Sequence, residues 1–185
     1  LESSLPTISV QGKGEVQTVP DEAIVWFGVT SDEKLLTKAY KDNTSKMNAV
    51  IASVKGMGIE SMDIKTSSYN VSPIYPRDEK GRVVPGKPAS FRVSQQLTVK
   101  VRDIDKTGQV IDKVIASGTN TFGGLRFDSS KIDELTKQAK VRAAEDASKE
   151  AKLIADSLGV KIGRVIRINS SVQQPYLNRN VRAFA

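Results

Sequence analysis

Neither cysteine nor histidine occurs in the 185 residues of this sequence. The first absence excludes disulfides, thiolate metal sites and cysteine nucleophiles, and the second removes the commonest general base and metal ligand. Most familiar enzyme classes go with them. The lack of cysteine leaves the compartment open, because a chain long enough to bury a sizeable core needs no disulfide inside or outside the cell. Aromatic residues are scarce, at 5% with one tryptophan, and no strand pattern carries the paired aromatic platform that stacks bases. Nucleic acid is therefore not expected as a partner. No apolar run approaches the roughly 20 residues of a membrane-spanning helix. Residues 1–6 lack a charged start followed by an apolar core, so any export signal is expected to be already removed or never present.

What is present reads as a folded globular chain, with 38% hydrophobic and 26% charged residues. The formal charge of +7 raises the question of an acidic partner. Basic residues are scattered except late in the chain, where Lys161, Arg164, Arg167, Arg179 and Arg182 face no acid after Asp156. They form a candidate anion-binding surface, suited to an anionic lipid or a cell-wall polymer.

The most legible stretch is 130–158. Ile132, Leu135, Ala139, Ala143, Ala147, Ala151, Ile154 and Leu158 recur in steps of three or four, which keeps them on one face of a long helix. Four successive alanines let a partner approach the helix backbone closely, and a sheet is expected there. Because most steps are four, the stripe drifts around the helix, which argues against a long left-handed coiled coil. Ser130 with Asp133 resembles a capping box, and Gly159 ends the helix.

In chain order, 7–19 reads as an extended segment interrupted by Gly12 and Gly14. Residues 23–30 read as a strand covered on both faces. A helix opening at 30–33 carries Leu36, Tyr40, Met47, Val50, Ile51 and Val54 as far as Gly56. Two strands follow, an extended segment at 59–75 whose later part, 64–74, is polar, and 90–102, with Phe91, Val93, Leu97, Val99 and Val101 alternating against Arg92, Ser94, Gln96, Thr98, Lys100 and Arg102. Asp103 caps a third helix running to Gly118, 121–128 forms a short strand, and 161–172 a last one. The class is α+β: a ferredoxin-like β-α-β-β-α-β part at 22–129, with an added α/β layer from 7–19 and 130–172, and an irregular basic tail at 173–185. The loop 76–89, with three prolines and two glycines, is too long for an ordinary hairpin connection and marks a mobile or contact element. Its Arg77, Arg82, Val83 and Val84 are the candidate oligomer contact, since an open antiparallel sheet leaves edges to cover or pair.

Adjacent acids occur at Asp21–Glu22, Asp32–Glu33, Asp78–Glu79, Asp133–Glu134 and Glu145–Asp146. Each has a local explanation at a turn, helix start or exposed face. No catalytic residue, cofactor or metal site is assigned.

Three segments carry a resemblance: ISVQGKGEVQTVPDEA near the start, GIESMDIKTSSYNVSPIY after the first helix, and the alanine-spaced helix ending in ADSLGVKIGRV. On these the chain resembles the SIMPL-domain family, which includes YggE-like and periplasmic immunogenic proteins. Asn169 stands where that pattern has an acidic residue. The resemblance implies a mature periplasmic or envelope protein, its signal peptide outside this sequence, with a stress-related and non-catalytic role exerted by binding or self-assembly as a homo-oligomer. The alternatives are an enzyme using carboxylate or Ser/Lys chemistry, and a binder of an anionic polymer or nucleic acid.

Overall fold

A computed structural model describes residues 6–172 of the chain. These residues fall into two compact units, Pro20–Ser130 and the residues on either side of it.

The central unit holds β1 (Glu22–Glu33), α1 (Leu36–Gly56), β2 (Ile64–Ile74), β3 (Ser90–Val101), α2 (Thr107–Ala116) and β4 (Thr121–Asp128). The four strands make one sheet in the order β2-β3-β1-β4, with every neighbouring pair antiparallel. Pairing of Val25 with Val99 and Phe27 with Leu97 sends the apolar set of β1 and β3 to one face, where Met47, Val50 and Val54 of α1 and Val110 and Val114 of α2 close over it. Phe27 and Leu97 are essentially inaccessible to solvent. Burying a side chain of that size stabilises by about 1.5–3 kcal/mol, so this cluster is the core of the fold. The other face of β3 carries Arg92, Ser94, Gln96, Thr98 and Lys100, all retaining solvent contact.

A polar side chain reaches this core from α1. Asn43 of α1 is fully buried, and its Nδ2 donates to the carbonyls of Val29 at 2.8 Å and Val93 at 2.9 Å, joining α1 to two neighbouring strands. β1 continues to Glu33 instead of yielding to a helix at Thr30, because Asp32 and Glu33 pair with Arg92 and Phe91 across the ladder. Asp103 precedes a single 3-10 turn at Ile104–Lys106, and its carboxylate engages Lys106 at 3.0 Å instead of capping α2.

In the second unit, α3 spans Ile132–Ser157. The alanine stripe is found where its spacing predicts, half-buried at Ala139, Ala143, Ala147 and Ala151. Its terminal member is Ala155, which is buried, while Leu158 is 69% exposed because the helix has ended before it. The helix start also differs. Lys131 occupies the N-cap without a side-chain bond. Ser130 instead gives its N–H and hydroxyl to the two carboxylate oxygens of Asp21, at 2.7 and 2.6 Å, so the expected capping box does not form.

Within this unit the surface lying on the alanines is not a sheet but one extended segment, 7–19. Gly12 lies against Ala143 and Ala147, and Gly14 against Ala139 and Ala143, so closely that a Cβ on either glycine would overlap a helix carbonyl oxygen. The segment thus runs antiparallel to α3, with glycine and alanine facing each other. The Asp146 carboxylate accepts the Lys13 N–H at 2.8 Å, and Arg142 donates to the Glu15 carbonyl at 2.7 Å. Neither 7–19 nor 161–172 is a strand of a ladder, contrary to the alternation in both. Alternating side chains favour an extended backbone, but a strand also needs a neighbouring edge to take its N–H and C=O groups.

Candidate functional site

Between β2 and β3 the loop 76–89 folds back on itself. Arg77 and Val83 form an isolated antiparallel bridge, Val84 donates its N–H to the Pro76 carbonyl at 2.9 Å, and Ala89 closes on Ile74 at 2.7 Å. Asp78 organises the tip. Its Oδ1 accepts the N–H groups of Lys80 and Arg82, both at 2.9 Å, and its Oδ2 accepts Nε of Arg82 at 2.8 Å. Arg77 donates to the carbonyl of Gly81 at 2.7 Å. Gly81 takes φ of +77°, a left-handed conformation that suits glycine in a tight turn. The Arg82 N–H, with its guanidinium and the Lys80 N–H, holds the Asp78 carboxyl below its ordinary value.

The sequence leaves open whether this loop is mobile or a contact element. The internal bonds make it a braced projection, with Val83 and Val84 at 52% and 40% exposure. All four candidate contact residues are exposed: Arg77 and Arg82 bond within the loop while the Arg82 side chain stays 74% exposed, beside the two valines.

The candidate basic residues have a different setting. Lys161, Arg164 and Arg167 lie on an exposed extended stretch, and among the described residues no carboxylate pairs with them. Arg179 and Arg182 lie outside the described residues.

Several acidic side chains are held by basic ones across the sheet. Glu22, nearly buried, accepts Lys100 at 2.7 Å, and Asp32 takes a two-point bond from Arg92 at 2.8 and 2.6 Å. Asp63, also buried, is gripped the same way by Arg102 at 2.6 and 2.9 Å. Arg92 lowers the pKa of Asp32, and Lys46 with the Ser31 hydroxyl lowers that of Asp42. Among the described residues no three acidic side chains gather as a metal site would require.

One feature the sequence reading missed is an apolar hollow of about 320 Å³ between the start of α1 and edge strand β2, lined by Leu36, Thr37, Tyr40, Lys41 and Val71. Leu36 and Tyr40, four apart at a helix start, were readable as a pair on one helix face. Val71, in the most polar strand of the chain, gave no signal.

Among known proteins, the SIMPL family, described as a protein of unknown function (DUF541), matches residues 8–185. The 26 kDa periplasmic immunogenic protein of Brucella melitensis is 32% identical over 91% of this chain and 68% of its own length. YggE of Edwardsiella ictaluri and of Escherichia coli, both named as uncharacterized, are 23% identical over 92% of this chain and 71% and 68% of their own lengths. These names assign no reaction, and the Brucella name gives a periplasmic location. No helix among the described residues is long and apolar enough to cross a membrane.

Proposed function

Because the chain belongs to the SIMPL family, we propose that it is a non-catalytic protein of the bacterial periplasm or envelope that acts by self-assembly and binding, in a stress-related role. The observation that supports assembly is the loop 76–89. A long connection held rigid by its own hydrogen bonds around Asp78, with two valines exposed at its side, is suited to enter another surface without first being ordered. Its contact in a homo-oligomer runs through Val83 and Val84, with Arg77 and Arg82 keeping the loop in shape. Lys161, Arg164 and Arg167, with no carboxylate partner among the described residues, suit an anionic envelope component as a further partner.

Light scattering tests the contact. Val83→Asp with Val84→Asp places two charges where an apolar surface is to be covered and leaves the Asp78 network untouched, so the variant is expected to lose mass relative to the intact protein. Equal masses would remove the loop from the interface. For the stress-related role, a strain lacking the protein is expected to survive oxidant exposure less well than its parent, and equal survival would remove that role.

A further inference from the structure

Residues 160–172 leave the end of α3 as an extended arm. Gly159, at φ +66°, turns the chain out of the helix, and the Val160 N–H bonds to the Ala155 carbonyl at 3.0 Å. Every residue of the arm is exposed, including Ile162 at 52%, Ile166 at 62% and Ile168 at 80%. Its even positions, Val160, Ile162, Ile166, Ile168 and Val172, are apolar apart from Arg164 and Ser170, and its odd positions are Lys161, Gly163, Arg167, Asn169 and Ser171 with one apolar residue, Val165. An extended chain with one apolar and one polar face is a strand lacking a sheet.

The same unit holds an edge that lacks a strand. In 7–19 the even positions Val10, Gly12, Gly14 and Val16 are half-buried. Along one lateral edge, α3 side chains satisfy the Lys13 N–H and the Glu15 carbonyl. Successive residues of an extended chain direct their N–H and C=O groups to opposite edges. The groups of Gly12 and Gly14 therefore point to the other edge, and no hydrogen bond among the described residues engages them. Among the described residues of this unit only Ala155 is fully buried, too little to offset the ordering of a long helix and two extended segments.

We propose that the arm, residues 160–172 of one copy, adds as a β-strand to the free edge of segment 7–19 in a second copy. Pairing supplies the missing ladder, lays the even apolar face of the arm beside the glycines on α3, and leaves Lys161 and Arg167 on the wet face. In its own copy the arm departs with all its side chains in solvent, which leaves it available for exchange, and reciprocal exchange makes a closed dimer. The inference rests on the self-assembly reading and names a contact independent of the loop.

A photo-cross-linking amino acid at Val165, on the polar face and 72% exposed, tests it in an equal mixture of ¹⁴N- and ¹⁵N-labelled protein. Cross-linked peptides joining the arm to residues 7–19 with one light and one heavy partner are expected. Ile166→Pro, which removes an N–H from the middle of the added strand, is expected to reduce the assembled mass while leaving Trp26 fluorescence, a reporter of the sheet unit, unchanged. Links confined to one isotope would mean that the arm closes on its own copy, which overturns the exchange. An assembled protein without arm-to-7–19 links, or with an assembled mass unaffected by Ile166→Pro, overturns the arm and leaves the loop contact standing. A monomeric intact protein overturns both.

Discussion

Glycine at 12 and 14 and alanine at 139, 143 and 147 are chosen together, since each leaves room for the other's backbone. Gly14→Val would drive a side chain into the Ala139 carbonyl, and Ala147→Phe would push the segment off the helix from the opposite side. Each is expected to cost about 1–3 kcal/mol through overpacking. Chemical denaturation measures the loss, and midpoints equal to that of the unaltered protein would refute the close approach. Asn43 makes a second case at this scale. Asn43→Leu keeps the volume but strips a donor from the buried carbonyls of Val29 and Val93, an expected loss of about 1–3 kcal/mol in the same assay. A neutral result would mean that the two strand carbonyls do not need the amide.

The lowered pKa values of Asp32, Asp42 and Asp78 fix the sign of an acid effect. A carboxylate whose folded pKa lies below its unfolded value adds stability above the unfolded value, and loses it as pH falls through the folded one. Stability is expected to decline below roughly pH 4, where ordinary carboxylates titrate. Asp42→Asn, which cannot titrate, should shallow that decline. All three groups are substantially exposed, so the effect is small and screened by salt. An unchanged slope for Asp42→Asn would show that its pairing with Lys46 does not bear on stability.

At the scale of elements, legibility followed burial. β3 could be read almost to the residue because its alternation is enforced by a core on one face and water on the other, and α3 because its apolar stripe lies against another segment. β4 was readable from a short run bounded by turn residues. Three readings failed for one reason: a local pattern has more than one use for its polar groups. Ser130 looks like a helix cap, yet Asp21, 109 residues away in sequence, takes both its N–H and its hydroxyl. Asp103 looks like another cap and instead holds Lys106. Residues 161–172 have the composition of a strand, but a strand is a property of two edges, and sequence shows only one of them. The loop 76–89 shows the converse. Its prolines and glycines read as irregular, and only the geometry reveals that Asp78 draws two backbone N–H groups and a guanidinium into one brace. For the loop, the sequence does not show that Arg77 and Arg82 bond back onto it, and the hollow at Leu36, Tyr40 and Val71 needed two elements to meet.

For the whole molecule, the two units differ in how complete they are. The unit of β1 to β4 closes its own core around Phe27, Leu97 and the helices above them. The unit of α3 and its flanking segments buries one residue fully among those described, carries a free edge and ends in an exposed amphipathic arm. Such a unit would bury more surface by meeting another copy, and the proposed self-assembly uses the loop and the arm as its two contacts. The most direct measurement is the mass of the intact chain in solution by sedimentation equilibrium over a range of concentrations. The account predicts a multiple of the 20.1 kDa chain mass, and a mass of 20.1 kDa throughout that range would contradict it.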